Sequence, residues 1–415
     1  MNHPPLRVGR VRTTTRHTAA SGVTLMKYEL LMPRQVVFGW GRRSEVGTRA
    51  TGLGNRVFVV SGSRSLRASG ILDTIFQSLR SAGLSVVDLG TISREPEVED
   101  VDTMVHQLRS LGGGVAGDIV LAIGGGAALD LGKAVAAMAT NTRSDTVRDS
   151  LEGVGKGYQI TERPLPLIAM PTTSGTGSEA TKNAVISSRA GKFKKSLRSD
   201  QMVPQLALID PELTVTCPRN TTAWSGMDAI TQLIESLITP KSTEITRALS
   251  KEGLRVAIPA LRRACDEPDN RPAREAMSHA AFLSGVTLAN AGLGMAHGVA
   301  AALGVNCNVA HGLACAVLLP TALRVNRQVS EAALSDLAPL FDTRQWATTS
   351  AAADFVVESI AQLGRDLGVP ERLRELGVRK EQLAELVPAS RGNSMNGNPR
   401  PLSDSELQDI LEALW

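Results

Sequence analysis

Hydrophobic and polar positions follow two different rhythms along this chain. In the first half, short β-rich runs (Val57–Val60, Val86–Leu89, Ile119–Ile123, Leu167–Met170 and Leu206–Ile209) alternate with amphipathic stretches such as Ile71–Ala82 and Val101–Leu111. Strands alternating with helices predict βαβ units, hence a mostly parallel sheet with helices on its faces. In such sheets ligands bind beyond the carboxyl ends of the strands. After Asp210-Pro211-Glu212 the apolar spacing takes the 3.6-residue period of helices, through Trp224–Ile238, Thr246–Arg263, Arg274–Ala291, Ala352–Leu367 and Glu406–Leu414. The last of these starts at a capping box, Ser403-Asp404-Ser405-Glu406, behind Asn398-Pro399-Arg400-Pro401. The pattern predicts an α/β domain over residues 26–212 and an all-helical domain over 213–415, with no internal repeat and no low-complexity linker between them.

Composition narrows the function classes. With 415 residues, 42% of them hydrophobic and 21% charged, the chain has the make-up of a soluble globular protein with room for two domains. Only 3% aromatic residues leave little material for stacking single-stranded bases. The excess of 45 basic over 41 acidic side chains is accounted for by Arg7, Arg10, Arg12 and Arg16 within the acid-free residues 1–25. The body is therefore electrically balanced, and no nucleic-acid partner is expected. Residues 1–25 are expected to be a disordered, dispensable leader, although Arg-rich, acid-poor sequence is also how organelle transit peptides look.

A 48-residue stretch, Ala276–Leu323, contains no Lys, Arg, Asp or Glu. It exceeds a membrane span in length, but His279, Asn290, His297, Asn306, Asn308, His311 and six glycines interrupt it. That pattern fits core helices packed around a cavity, and no membrane partner is expected. Cys217, Cys265, Cys307 and Cys315 form no CxxC pair, which points to buried free thiols in a reducing cytoplasm.

Three features carry candidate chemistry. The first is Gly124-Gly125-Gly126, which follows the run Ile119–Ile123 and opens a helical pattern continuing to Met138. Glycines at a strand-to-helix turn let backbone approach a ligand closely, and the helix N-terminus offers free N–H groups to a pyrophosphate; a tight turn without ligand is the plain alternative. The spacing is neither GxGxxG nor a P-loop. The second is the Gly/Ser/Thr-rich segment Pro171–Thr181 after the run Leu167–Met170, suited to hydrogen-bonding phosphate, ribose or amide, or else an ordinary turn. The third is His297 and His311, fourteen residues apart in the charge-free stretch, with Asp228 and Gln232 at i,i+4 on an earlier helix. A carboxylate and two imidazoles suit a divalent transition metal with open positions, whereas satisfied core histidines and a helix-terminus aspartate are the plain alternatives.

Taken in order, Gly124-Gly125-Gly126 with Asp130 and Lys133, Pro171–Thr181, Asp210-Pro211-Glu212-Leu213, Gly226-Met227-Asp228-Ala229, and His297 with His311 form a specific set. From about Tyr28 to Trp415 the chain resembles the iron-dependent, or group III, alcohol dehydrogenases. The resemblance implies a dehydroquinate synthase-like α/β nucleotide-binding domain, an all-α metal-binding domain, an active site in the cleft between them, and a homodimer. It implies NAD or NADP held by Gly62, Gly124, Gly125, Gly126, Asp130, Thr172, Thr173, Thr176, Asn183 and Lys194. It implies a catalytic divalent metal, Fe2+ with Zn2+ as alternative, held by Asp228, His297, His311 and the residue at 232. Family members typically place a histidine where this chain has Gln232, a weaker neutral ligand, and some carry a second histidine where it has Ala301. Many end the first nucleotide-domain strand with an aspartate that repels a 2′-phosphate, but here Val59-Val60-Ser61-Gly62-Ser63-Arg64 lacks one, so NADP is expected to be tolerated. The implied reaction is hydride transfer between the nicotinamide and an alcohol or carbonyl compound. Rival readings are a metal-independent reductase resembling maleylacetate reductase, a dehydroquinate synthase-like lyase using NAD transiently, and a nucleotide-binding regulatory protein without turnover.

Overall fold

A computed structural model describes residues 27–62 and 64–415, apart from the side chain of Arg64. The expected leader, residues 1–25, lies outside the described residues. Contacts divide the chain into Met1–Leu30 and Leu31–Trp415; residues 27–30 carry no helix or strand, and every element below belongs to the second unit.

Strands β1 (Gln35–Phe38), β2 (Arg56–Gly62), β3 (Ser85–Ile92), β4 (Asp118–Gly124) and β5 (Leu167–Pro171) come first, and β8 (Leu206–Ile209) follows an antiparallel hairpin of β6 (Asn183–Ser188) and β7 (Phe193–Arg198). Six of them form one sheet in the order β1-β8-β5-β4-β2-β3, parallel throughout. From β2 the chain steps outward to β3 and returns to the other side of β2 to lay down β4, then β5. The direction of winding therefore reverses between β2 and β4, which opens a crevice at their carboxyl ends.

Helices α1 (Val46–Thr51), α2 (Arg64–Ala68), α3 (Ile71–Ser81), α4 (Val98–Ser110) and α5 (Gly126–Thr140) accompany the sheet. Val57 and Val59 of β2 point into a core with Leu72, Ile75 and Leu79 of α3. Phe58 and Val60 point into the opposite core with Val101, Val105 and Leu108 of α4 and the apolar residues of α5. Both faces are covered, which is why the strands read as unbroken apolar runs. Each such fully buried Val, Leu or Ile contributes on the order of 1.5–3 kcal/mol. The five expected strands are present, each at or beyond its expected ends. The β6–β7 hairpin was not expected, because Phe193-Lys194-Lys195-Ser196 is polar and half-buried rather than apolar.

The second part of the chain is helical: α6 (Arg219–Ile238), α7 (Glu244–Asp266), α8 (Arg271–Ala291), α9 (Met295–Cys307), α10 (His311–Asn326), α11 (Glu331–Ser335), α12 (Thr349–Asp366), α13 (Leu383–Ala389) and α14 (Asp404–Leu414). Its core extends to Ala207 and Ile209 of β8, so sheet and helices pack directly on each other. The box at Ser403 and Glu406 caps α14 as expected. Among the described residues no single helix is long and apolar enough to cross a membrane; α8 and α9 reach that length only together, bent by 101°, and both are largely buried in this core.

The charge-free stretch folds as three helices with two breaks. Gly292 and Gly294 separate α8 from α9, and Asn308, in the left-handed region at φ 54°, ends α9 before α10 begins at His311. Along one unbroken helix, His297 and His311 would stand roughly 21 Å apart. The turn at residues 308–310 brings their ring centroids to 5.5 Å.

Candidate active site

Asp228 lies in the middle of α6, a helix so enclosed by its neighbours that the carboxylate is 1% exposed. His297, in the first turn of α9, places Nε2 3.2 Å from Asp228 Oδ1. His311, the first residue of α10, places Nε2 3.8 Å from the same oxygen. Cys315, one turn further along α10, places Sγ 3.8 Å from His311 Nε2. One donor atom from each of Asp228, His297, His311 and Cys315 lies within 4.8 Å of all the others.

Glu235, almost two turns after Asp228 on α6, forms the layer behind. Its Oε2 accepts from His297 Nδ1 at 2.7 Å and from the Gly294 N–H at 2.9 Å, while Oε1 accepts from the Ala296 N–H at 2.7 Å. A carboxylate that accepts a hydrogen bond from Nδ1–H fixes the ring and turns Nε2 towards the cluster, the arrangement of metal-ligating histidines. Burial opposes charge on His297, but Cys315, Asp228 and Glu235 around it more than reverse this and raise its pKa well above 6.5. Burial also penalises the Asp228 carboxylate, yet the His297 hydrogen bond and the nearby His311 hold its pKa below the usual range. His311 is pushed down to about 4, chiefly by burial, so its imidazole is neutral at pH 7. Among the described residues its buried Nδ1 has no hydrogen-bond partner. Burial raises the Cys315 thiol to about 12. The Asp228 carboxylate, the neutral His311 imidazole and the close spacing of the donors suit a divalent cation, which would displace the Nε2 proton of His297, so the residues fit one.

Gln232 departs from the expectation of an oxygen ligand. Its carbonyl oxygen accepts from Ser284 Oγ at 2.7 Å, and its NH2 group faces Thr176 O at 3.4 Å and Asp228 Oδ2 at 3.5 Å. In this orientation it braces the Asp228 carboxylate instead of presenting a lone pair beside it.

Beyond the cluster, the crevice between β2 and β4 collects the glycines. A Cβ on Gly62 would meet Gly124 Cα at 3.0 Å, and one on Gly126 would meet Thr176 Cγ2 at 2.6 Å, so bare backbone lines this corner. Thr172 donates its N–H to Gly124 O at 2.9 Å, and Thr173 stands against Gly125. The segment Pro171–Thr181 then runs between sheet and helices. Ser174 Oγ pairs with Ser278 Oγ at 3.0 Å, and Gly177 lies so close to Gly285 of α8 that a Cβ on either would overlap backbone of the other. Thr176 thus touches the Gly turn on one side and Gln232, the neighbour of Asp228, on the other. Lys194 on β7 pairs with Glu95 at 2.5 Å and lies over Gly304 of α9, and Asn183 opens β6.

Asp130, one turn into α5, is held by three partners. Its Oδ1 accepts from Ser178 Oγ at 2.5 Å, its Oδ2 accepts from the Val185 N–H at 2.9 Å, and the fully buried Lys133 Nζ stands 3.2 Å away. Through these bonds Asp130 tethers the loop and the hairpin to α5.

Comparison with known proteins agrees with this arrangement. The profile of the iron-containing alcohol dehydrogenases matches residues 33–211, and that of the Fe-containing alcohol dehydrogenase family's C-terminal domain matches residues 222–415. The chain is 32% identical over 391 residues to 1,3-propanediol dehydrogenase of Citrobacter freundii, covering 92% of this chain and 98% of that one. It is 30% identical over 393 residues to lactaldehyde reductase of Escherichia coli (strain K12), covering 94% and 100%. The chain belongs to the iron-containing alcohol dehydrogenase family. Its fold superposes on the crystal structure of a 1,3-propanediol oxidoreductase with a TM-score of 0.86 at 29% identity, covering 94% of this chain and 100% of that one. It superposes on sulfoacetaldehyde reductase from Bifidobacterium kashiwanohense in complex with NAD+ with a TM-score of 0.81 at 28% identity, covering 94% and 99%. The protein is accordingly an oxidoreductase acting on alcohols or aldehydes with a nicotinamide dinucleotide.

Two residues of this dehydrogenase escaped the sequence reading. Glu235 carried a usable signal: with Asp228 and Gln232 it completes an i, i+4, i+7 stripe of carboxylate and amide groups along one face of α6. Cys315 carried a weaker one, at i+4 from His311.

Proposed function

We propose that the chain reversibly reduces a small aldehyde or ketone to the alcohol with NAD(H), at the place where the β2–β4 crevice meets the Asp228–His297–His311 cluster. The observation that carries this reading is the continuity between the two, through Gly126, Thr176, Gln232 and Asp228. Asp228, His297 and His311 would hold a divalent ion that, when bound, supplies Lewis-acid polarisation of a carbonyl oxygen, as the nicotinamide supplies the hydride. The protein's own residues supply the rest. Glu235 fixes His297 through Nδ1. The glycine turn and the N–H groups opening α5 suit an anionic pyrophosphate. The charge-free residues 276–323 of α8, α9 and α10 put apolar side chains around the cluster, and a water-poor cleft strengthens every electrostatic interaction in it. Ala301 offers no group that carries a proton.

Relatives named for propanediol, lactaldehyde and methanol support short substrates, and one named for long-chain alcohols puts longer chains on the panel as well. The family's name supports Fe2+ as the ion, and our reading includes a cytoplasmic homodimer. NADP(H) is expected to serve as well, because β2 ends at Gly62 without a carboxylate; the side chain of Arg64, on which selectivity would depend, lies outside the described residues. The deciding experiment is a panel of short and longer-chain aldehydes and alcohols assayed with NADH and NADPH, after metal removal and after reconstitution with Fe2+ or Zn2+. Activity that survives chelation would move the protein to the metal-independent reductases. No turnover under any condition would remove the proposal.

A further inference from the structure

We propose that Cys315 is a fourth ligand of the ion held by Asp228, His297 and His311, binding as thiolate, and that this shifts the preference of the centre from Fe2+ towards Zn2+. The inference deepens the function proposed above and rests on it for the presence of an ion. α10 begins at His311, and Cys315 one turn later projects from the same face. Sγ is 3.8 Å from His311 Nε2, that nitrogen is 3.8 Å from Asp228 Oδ1, and that oxygen is 3.2 Å from His297 Nε2. In a tetrahedral centre with metal–nitrogen bonds of about 2.1 Å and a metal–sulfur bond of about 2.3 Å, the edges come to about 3.4 Å between N or O donors and about 3.6 Å between N and S. The three observed spacings therefore already approximate the edges of such a tetrahedron.

Two further observations favour the thiol. Gln232, the remaining candidate for a fourth donor, has its amide oxygen engaged by Ser284. Cys315 is fully buried with its sulfur within 4.8 Å of donor atoms of Asp228 and His297, whereas the half-buried Cys217 donates its S–H to the Thr172 carbonyl at 3.2 Å. Coordination replaces the S–H bond with a sulfur–metal bond and releases the proton to solvent, with no change of oxidation state. One carboxylate and one thiolate then neutralise the two charges of the ion inside a water-poor core. Thiolate is the softer ligand and selects for zinc, and zinc centres accept a fifth ligand during catalysis, so a fourth protein ligand is compatible with turnover.

The test uses the full chain, stripped of metal and loaded anaerobically with one equivalent of Co2+. Bands in the visible report a bound, low-symmetry ion, and a sulfur-to-cobalt charge-transfer band in the near ultraviolet reports thiolate ligation. Both are expected in the parent. Cys315→Ser should keep the visible bands and lose the near-ultraviolet one, while Cys307→Ser keeps both. Zn2+ affinity of Cys315→Ser should fall at least about 100-fold, the upper end of what losing a group that only hydrogen-bonds a ligand costs. In equimolar Fe2+ and Zn2+ the variant should bind more iron relative to zinc, by about tenfold or more. Visible bands without the charge-transfer band in the parent overturn Cys315 ligation and leave the metal centre standing; neither set of bands overturns the function as well. An unchanged iron-to-zinc ratio overturns the selectivity. Circular dichroism of Cys315→Ser and Cys315→Ala separates a lost ligand from a lost fold, and the parent's own spectrum decides the ligation even if both variants unfold.

Discussion

Replacing Glu235 with glutamine keeps the shape of the side chain and removes its charge, which isolates what the carboxylate does for His297. Three N–H groups, those of His297 Nδ1, Gly294 and Ala296, converge on its two oxygens at 2.7–2.9 Å, and Glu235 is 3% exposed. Whichever way the amide is turned, its NH2 meets at least one of these donors. A hydrogen bond to a charged group is worth about 1.5–3 kcal/mol, and a buried N–H left without an acceptor costs about 1–3 kcal/mol, so Glu235→Gln should destabilise the metal-free protein by about 3–5 kcal/mol. With His297 no longer anchored, metal affinity should fall about 10- to 100-fold. The sign of the pH dependence follows from His297. Its pKa in the folded protein is raised above 6.5, so its stabilising contribution is fully present below that value and is lost as pH rises through the raised one. Glu235→Gln shrinks that contribution, and the deficit relative to the parent should be larger at pH 6 than at pH 9. Urea unfolding of the two metal-free proteins at both pH values, with chelator competition for Zn2+ or Fe2+, measures each quantity. Metal affinity within threefold of the parent, together with equal midpoints at both pH values, would refute the anchoring role.

Glu179, buried against Lys133, has its pKa raised by burial to about 7. Between about 4.5 and 7 the folded protein keeps a proton that the unfolded chain has lost, so stability falls as pH rises through that window. Glu179→Gln should therefore stabilise by about 2–3 kcal/mol at pH 8 and hardly at all at pH 4.5, and urea midpoints that differ equally at the two pH values would contradict it. Lys133→Met removes a fully buried cation that bonds Ser178 O at 2.9 Å and Thr181 Oγ1 at 2.8 Å and pairs with Asp130. Leaving Asp130 uncompensated should cost about 3–5 kcal/mol and raise KM for NADH as the Pro171–Thr181 loop loosens, read by melting and steady-state kinetics. Gly126→Ala sets a methyl group 2.6 Å from Thr176 Cγ2, so the threonine must swing towards the crevice. Overpacking should cost about 1–3 kcal/mol, and dinucleotide Kd should rise about tenfold or more; fluorescence titration with NADH showing an unchanged Kd would remove that glycine from the binding surface.

The parallel sheet was legible because β2, β4, β5 and β8 are buried on both faces and leave uninterrupted apolar runs at regular intervals. The β6–β7 hairpin was not, since its second strand is lysine-bearing and half-buried, and neither an apolar run nor a two-residue Asn-Gly turn marks it. Asp228, His297 and His311 stood out because polar, titratable groups are rare in such apolar surroundings. Their meeting depends on the left-handed Asn308 and the extended Ala310, backbone choices that no hydrophobic period records. The partners of Asp130 were hidden for a related reason: an acidic residue one turn into a helix behind a glycine turn does not show in sequence that it bonds the loop and the hairpin packed against that helix.

The site joins two kinds of support with different tolerance of change. On the sheet side, close backbone approach does the work: Gly62, Gly124 and Gly126 leave no room for a Cβ, so function is set by what is absent. On the helical side it is set by a few polar groups in a core that offers them almost no solvent, and there each group needs its partner. Asp228 depends on two histidines, His297 on Glu235, and Glu235 on the N-terminal N–H groups of α9. In such a network an uncharged residue at 232 cannot be neutral in effect. By binding Ser284 through its oxygen it frees the centre for another donor, and Cys315 is the buried group within reach. If that thiol ligates, a double substitution restoring imidazole at 232 and removing sulfur at 315, Gln232→His with Cys315→Ala, should bind metal more tightly than Cys315→Ala alone. Equal affinities in the two would show that position 232 cannot reach the ion, whichever side chain it carries.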